Sequence, residues 1–175
     1  QDIQRVNASG RAKVLQGPEL RTIFLGFDQY RPELRYSNIK GKNPFKDARV
    51  REAFYLAIDE NAIAAKVMRG AATPSALMIS PILFSLSKDF KRPAYDPDKA
   101  KKLLAEAGYP PGFEVTMDCP NDRYVNDEAI CQAVVAMLAR VGVKINLLAQ
   151  PKAKYFAKIL VSGGYDTSGY LLGWT

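Results

Sequence analysis

The sequence predicts an α/β domain whose mixed, partly parallel sheet is flanked by helices. Three features point to it. The run Arg21-Thr-Ile-Phe-Leu-Gly-Phe27 is apolar and β-branched, and its near-continuous apolar character suits a strand buried on both faces. Two later stretches, Phe113–Asp118 and Val143–Leu147, alternate apolar and polar residues with period two. Helical patterns separate these stretches from each other and from a last apolar segment, Thr167–Leu172. The second half therefore reads strand, helix, strand, helix, strand, an order that favours parallel neighbours through right-handed crossovers.

Residues 1–46 are punctuated by Gly10, Gly17-Pro18, Pro32, Gly41 and Pro44, which predicts irregular chain around the first strand. From Asp47 the period changes to 3.6: Val50, Ala53, Phe54, Ala57 and Ile58 share one helix face, with Asp47 as N-cap. A second helix begins at Asp59, turns Ile63 and Val67 inward and ends at Gly70. Residues 71–95 hold Pro74, Pro81 and Pro93 and predict a loop. Its apolar content (Leu77, Met78, Ile79, Ile82, Leu83, Phe84) is high for a solvated linker and predicts packing against something.

Asp96 and Pro97 form an N-cap and first helical position, followed by the stripe Ala100, Leu103, Leu104, Ala107. Gly108 ends that helix and Pro110 blocks its continuation. After the strand at 113–118, Cys119–Val125 is a polar loop. Asn126 is placed to cap the next helix, with Asp127 and Glu128 at its positive end and a Val125–Ile130 staple. Ala129, Ile130, Ala133, Val134, Met137, Leu138 and Val141 form its predicted inner face, and Gly142 closes it. Pro151 opens a helix bearing Tyr155, Phe156, Ile159 and Leu160, which Gly163-Gly164 end.

A length of 175 residues suffices for one domain with a real core. No apolar run reaches the length that spans a bilayer, and the first residues do not read as a signal peptide. The absence of an initiator Met predicts a processed product or a fragment. The formal charge of +7 raises the possibility of a basic nucleic-acid-binding domain, but that class needs a basic stripe interleaved with aromatics. Here the densest clusters, Lys99/Lys101/Lys102 and Lys152/Lys154/Lys158, fall on helical patterns and read as solvated faces.

There is no histidine, which removes Ser-His-Asp and Cys-His catalysis and every His-containing metal site. The carboxylate pairs Asp96/Asp98 and Asp127/Glu128 sit at helix starts, where capping explains them, and no glycine-rich phosphate loop appears. The expectation is a protein that is not an enzyme, with no cofactor, no metal and no nucleic-acid partner. Cys119 ends a strand and Cys131 lies early in the next helix. A disulfide between them and a pair of buried thiols are the two readings, and an oxidising compartment favours the bridge.

Several segments together resemble the peptide/nickel family of solute-binding proteins that serve ATP-binding-cassette importers. Asn43-Pro-Phe-Lys-Asp-Ala-Arg-Val-Arg-Glu-Ala-Phe-Tyr-Leu-Ala-Ile-Asp59 is similar to one hallmark of that family. Tyr95-Asp-Pro-Asp-Lys-Ala-Lys-Lys-Leu-Leu-Ala-Glu-Ala-Gly-Tyr-Pro110 resembles a second. Gly112-Phe-Glu-Val, Gly142-Val-Lys-Ile and Gly164-Tyr-Asp through Leu172-Gly-Trp174 follow in the family's order, so the resemblance covers roughly residues 20–175.

The resemblance implies one lobe of a two-lobed type II periplasmic-binding-protein fold. Residues 1–175 would be a single ligand-binding lobe, with 1–20 leading in from the other lobe and the lobe continuing past 175. It implies an extracytoplasmic or periplasmic monomer that captures di- or oligopeptides and hands them to a membrane permease. An oligosaccharide, an opine or chelated nickel are the family's other ligands.

It also implies a site. The loop Cys119-Pro-Asn-Asp-Arg-Tyr124 faces the cleft, and Arg123 stands about where some dipeptide binders present an arginine to the ligand carboxylate. A planar guanidinium suits that task because it donates two parallel bonds. Trp174 falls at the family's cleft-lining tryptophan, with Thr175 beside it; Tyr124 and Asn121 are named for their place in the loop. An arginine that some oligopeptide binders carry just before the Gly-Trp pair is absent, with Leu171 and Leu172 in its place. Read on the residues alone, Arg123 is a solvated partner of Asp118 or Asp122, Trp174 packs at a core or rim, and Asn121 is a turn residue.

Overall fold

A computed structural model of the chain describes residues 2–17, 19–80, 82–84, 89–160 and 164–175. The helices are α1 (Ile3–Ala8), α2 (Ala48–Ala57), α3 (Glu60–Ala62, running into a π-helical turn at Ile63–Val67), α4 (Pro97–Glu106), α5 (Asp127–Ala139) and α6 (Lys152–Ile159). The strands are β1 (Thr22–Phe27), β2 (Glu114–Pro120), β3 (Lys144–Gln150) and β4 (Gly169–Trp174). They form one sheet in the order β1-β4-β2-β3.

The sheet is mixed, as the sequence predicts. β2 and β3 run parallel from Glu114↔Lys144 to Pro120↔Gln150, and β1 runs antiparallel to β4 from Thr22↔Trp174 to Phe27↔Gly169. β4 meets β2 in parallel at the single pair Asp118↔Tyr170. Below that pair the amide of β2 Thr116 donates to the carbonyl of Tyr36, 2.8 Å away, and Asn38 N–H donates to the Glu114 carbonyl. A strap of irregular chain thus fills the ladder positions that β4 does not reach, as buried backbone polar groups require.

Side chains of β2 alternate between two layers. Val115, Met117 and Cys119 join the main core, where Phe45 stacks on Phe27 at 4.5 Å and Phe54 stands edge-on to both. Asn43 holds this corner: its amide donates to the carbonyls of Asp28 and Arg31, and its oxygen accepts from Phe45 N–H. Asp118 faces the other way, toward α6. Cys119 is bonded to Cys131 of α5, so the bridge reading holds and the free-thiol alternative does not. α5 and α6 therefore lie on opposite faces of the sheet.

Three expected caps are present: Asp47, Asp59 and Asp96 accept from Arg49 N, Ala62 N and Lys99 N. The fourth is not. Asn126 is in the left-handed region (φ 56°) and makes no cap bond; its amide donates instead to the Val67 carbonyl. Val125 is 71% exposed, so no staple forms with Ile130, and Ala129 also faces solvent. The expected end at Gly163 lies outside the described residues, while Leu160, placed inward by its spacing, is exposed. Residues 1–46 include the short helix α1, which the glycines and prolines concealed. Met78, Ile79, Ile82, Leu83 and Phe84 of the 71–95 loop are exposed rather than packed.

Reducing the Cys119–Cys131 bridge frees a short loop. In the chain-entropy account this lowers stability by about 3 kcal/mol. Urea melts with and without reductant are expected to differ by that amount, and coincident melts would count against the bridge.

Candidate functional site

β2, β3 and β4 all end at the same edge of the sheet, and antiparallel β1 begins there. In open α/β sheets this carboxyl edge, where successive connections leave on opposite faces, is where ligands bind. The loop after β2 crosses it and is fastened to each neighbour. Asn121 N–H donates to the Gln150 carbonyl of β3 at 3.0 Å. The Asp122 carboxylate accepts from Lys152 N–H, at the start of α6, at 2.6 Å. Asp127 accepts from the amides of Arg123 and Tyr124, both at 2.9 Å. The disulfide ties the loop's root to α5.

Tyr124 makes the longest-range tie. Its ring is nearly buried, and its hydroxyl accepts the Gly173 N–H of β4 at 3.0 Å. β2 and β4 have parted by then, so the tyrosine serves Gly173 as a ladder partner would. This joins the Arg123 loop to the Gly173-Trp174 strand end, which the sequence places 49 positions apart.

Arg123 is exposed and lies over the Tyr124 ring at 4.9 Å, within cation–π range. It does not answer Asp118 or Asp122. Asp118 is buried between Lys158 Nζ and the Thr167 hydroxyl, each at 2.7 Å, and Asp122 is bound to Lys152 N–H. Trp174 is 60% exposed, so it does not pack into a core; Asn121 and Thr175 are exposed beside it at the same edge. All five named residues thus share one edge, four of them open to solvent.

Lys158 departs from its expected solvated face. It sits three residues after the buried Tyr155, on the same stripe, and that spacing was the signal for its inward turn. Burial pushes the Tyr155 and Tyr165 hydroxyls far above the ordinary tyrosine range, so both stay protonated and act as neutral groups. Tyr155 uses its proton to donate to the Leu171 carbonyl, bracing β4 from below.

The edge combines a cation with an aromatic surface. Such a set has the chemistry to suit an anionic, partly apolar molecule. Arg123 and Trp174 stand on the open side of this edge, whereas the small void of about 10 Å³ inside the core is lined by residues such as Leu25, Phe54 and Leu138. Among the described residues, no group of three or more carboxylates or cysteines is placed to hold a metal ion. No helix among them is long and apolar enough to cross a membrane.

The model of the bacterial extracellular solute-binding proteins, family 5 (middle region) matches residues 1–175. The chain belongs to this family. Heme-binding protein A of Haemophilus influenzae is 29% identical over 177 residues, covering 99% of this chain and 30% of that protein. The dipeptide-binding protein of Escherichia coli K12 gives the same identity and coverage. The chain thus spans about 30% of the length of these relatives. Among solved structures, a periplasmic binding protein associated with an ABC transporter, DppA of Helicobacter pylori in complex with the peptide STSA, superposes with a TM-score of 0.83. It is 21% identical, and the match covers 99% of this chain and 31% of that one, which establishes the fold. The family 5 assignment also agrees with the order of segments that carried the sequence resemblance.

Proposed function

We propose that this family 5 chain is one ligand-binding lobe of a protein that captures small peptides outside the cytoplasm and passes them to the permease of an ATP-binding-cassette importer. Residues 1–175 belong to this lobe, with residues 1–20 as the link from a second lobe. The protein works as a monomer and performs no chemistry on its cargo. One observation carries this reading: Tyr124 clamps the Arg123 loop to the end of β4, which sets Arg123 and Trp174 on one exposed edge. An open wall with a fixed cation is half of a clamp, and closure of a second lobe over it is a hinge motion that a permease can recognise.

In this scheme Arg123 receives the peptide carboxylate and Trp174 covers an adjoining side chain. Arg123→Gln in the full-length protein is expected to weaken peptide binding about 10-fold or more, as loss of a charge-assisted hydrogen bond does, while leaving the melting temperature unchanged. Titration calorimetry with di- to tetrapeptides measures it. Unchanged affinity in this variant removes Arg123 from the site. Tight binding by residues 1–175 alone contradicts the two-lobe requirement.

A further inference from the structure

We infer that Arg21 is a second cation of this edge, and that Arg21 and Arg123 together form an anion subsite on Tyr124 that receives a ligand carboxylate. The inference rests on the peptide-capture reading above and names a residue which that reading does not contain.

β1 is the antiparallel strand, so its first residues lie where the other strands end, and Thr22 stands opposite Trp174. Arg21 precedes it. The Arg21 guanidinium carbon lies over the Tyr124 ring at 5.6 Å, and that of Arg123 at 4.9 Å, so one ring carries two cations. Gly173 makes this possible. A Cβ there would come within 2.7 Å of the Tyr124 ring and 2.9 Å of Arg21 Cδ, so the missing side chain is the slot in which the arginine stem lies.

Two guanidiniums beside one ring repel each other unless an anion sits between or beside them. The nearby loop carboxylates are committed: Asp118 to Lys158, Asp122 to Lys152 N–H, Asp127 to two amides. The carboxylate facing Arg21 is Glu19, 3.1 Å away and 62% exposed, against 27% for the arginine. Glu19 occupies the position a ligand carboxylate would take, tethered two residues away and easily displaced because an exposed ion pair is weak. An incoming carboxylate exchanges with Glu19 and gains a bidentate partner.

The test uses the full-length protein and titration calorimetry with Ala-Ala, Ala-Phe, Gly-Glu and Ser-Thr-Ser-Ala, each as the free acid and as the C-terminal amide. Arg21→Gln is expected to weaken free-acid binding about tenfold and to leave amide binding unchanged; Glu19→Gln is expected to tighten free-acid binding severalfold. If the wild type binds these acids and Arg123→Gln weakens them, but Arg21→Gln and Glu19→Gln change nothing, the inference is overturned and peptide capture stands. If the wild type binds none of the peptides, both are overturned. Should Arg21→Gln fail to fold, Glu19→Gln decides alone, since its side chain is exposed: tighter acid binding supports the subsite, and unchanged or weaker binding overturns it.

Discussion

Lys158→Met is expected to cost the fold about 3–5 kcal/mol, although the site reads as a surface lysine in the sequence. Asp118 has no exposed side-chain surface, and Lys158 Nζ lies 2.7 Å from one of its oxygens. Thr167 donates to the other oxygen. Removing the ammonium strands a carboxylate in the layer between the sheet and α6, with a hydroxyl as its remaining side-chain partner. The cost is that of an uncompensated buried charge, not of one lost hydrogen bond. The double variant Asp118→Leu/Lys158→Met removes both charges and is expected to recover most of the loss. Urea denaturation of the three proteins checks this. A Lys158→Met protein as stable as the wild type would mean that the pair does not hold α6 to β2.

Gly112→Ala is expected to be nearly as severe, on the order of 4 kcal/mol. Gly112 and Gly142 both have positive φ, 79° and 89°, and they touch at the edge where β2 and β3 begin. A Cβ at Gly112 collides with the carbonyl of Gly142, a backbone atom that cannot rotate aside. Left-handed strain of about 1–2 kcal/mol adds to an overpacking cost of about 1–3 kcal/mol or more. Gly108 is the control. Its φ is 91°, but nothing lies near its Cβ position, so Gly108→Ala is expected to show the strain alone. Equal losses in the two variants would show that the Gly112–Gly142 contact carries no weight.

What the sequence disclosed and what it hid divide along the range of the interactions. Asp47, Asp59 and Asp96 were legible as caps because each serves an amide within three residues. The alternation of Val115 and Met117 against Thr116 and Asp118 was legible because a pleated strand imposes it locally. Asn126 misled for the opposite reason. It satisfies a carbonyl of the π-helical turn 59 positions earlier, and Asp127 turns back to serve the loop amides. No local pattern encodes either choice. The Tyr124–Gly173 bond and the Arg21 stem over Gly173 are likewise tertiary, so Arg123 and Trp174 were reached only through the family resemblance, and Arg21 not at all.

The contact between Gly112 and Gly142 has a bearing on how such a scaffold diversifies. At the amino edge the strands are locked backbone to backbone, where nearly any substitution is felt by the whole sheet. At the opposite end β2 and β4 are no longer paired and are joined by the Tyr124 side chain. Changes far apart in a structure combine almost additively. Under the proposed function, Asn121, Arg123 and Trp174 can therefore change with the ligand while the Gly112–Gly142 contact at the far end of the strands is left as it is, much as a tool takes interchangeable bits on one rigid handle.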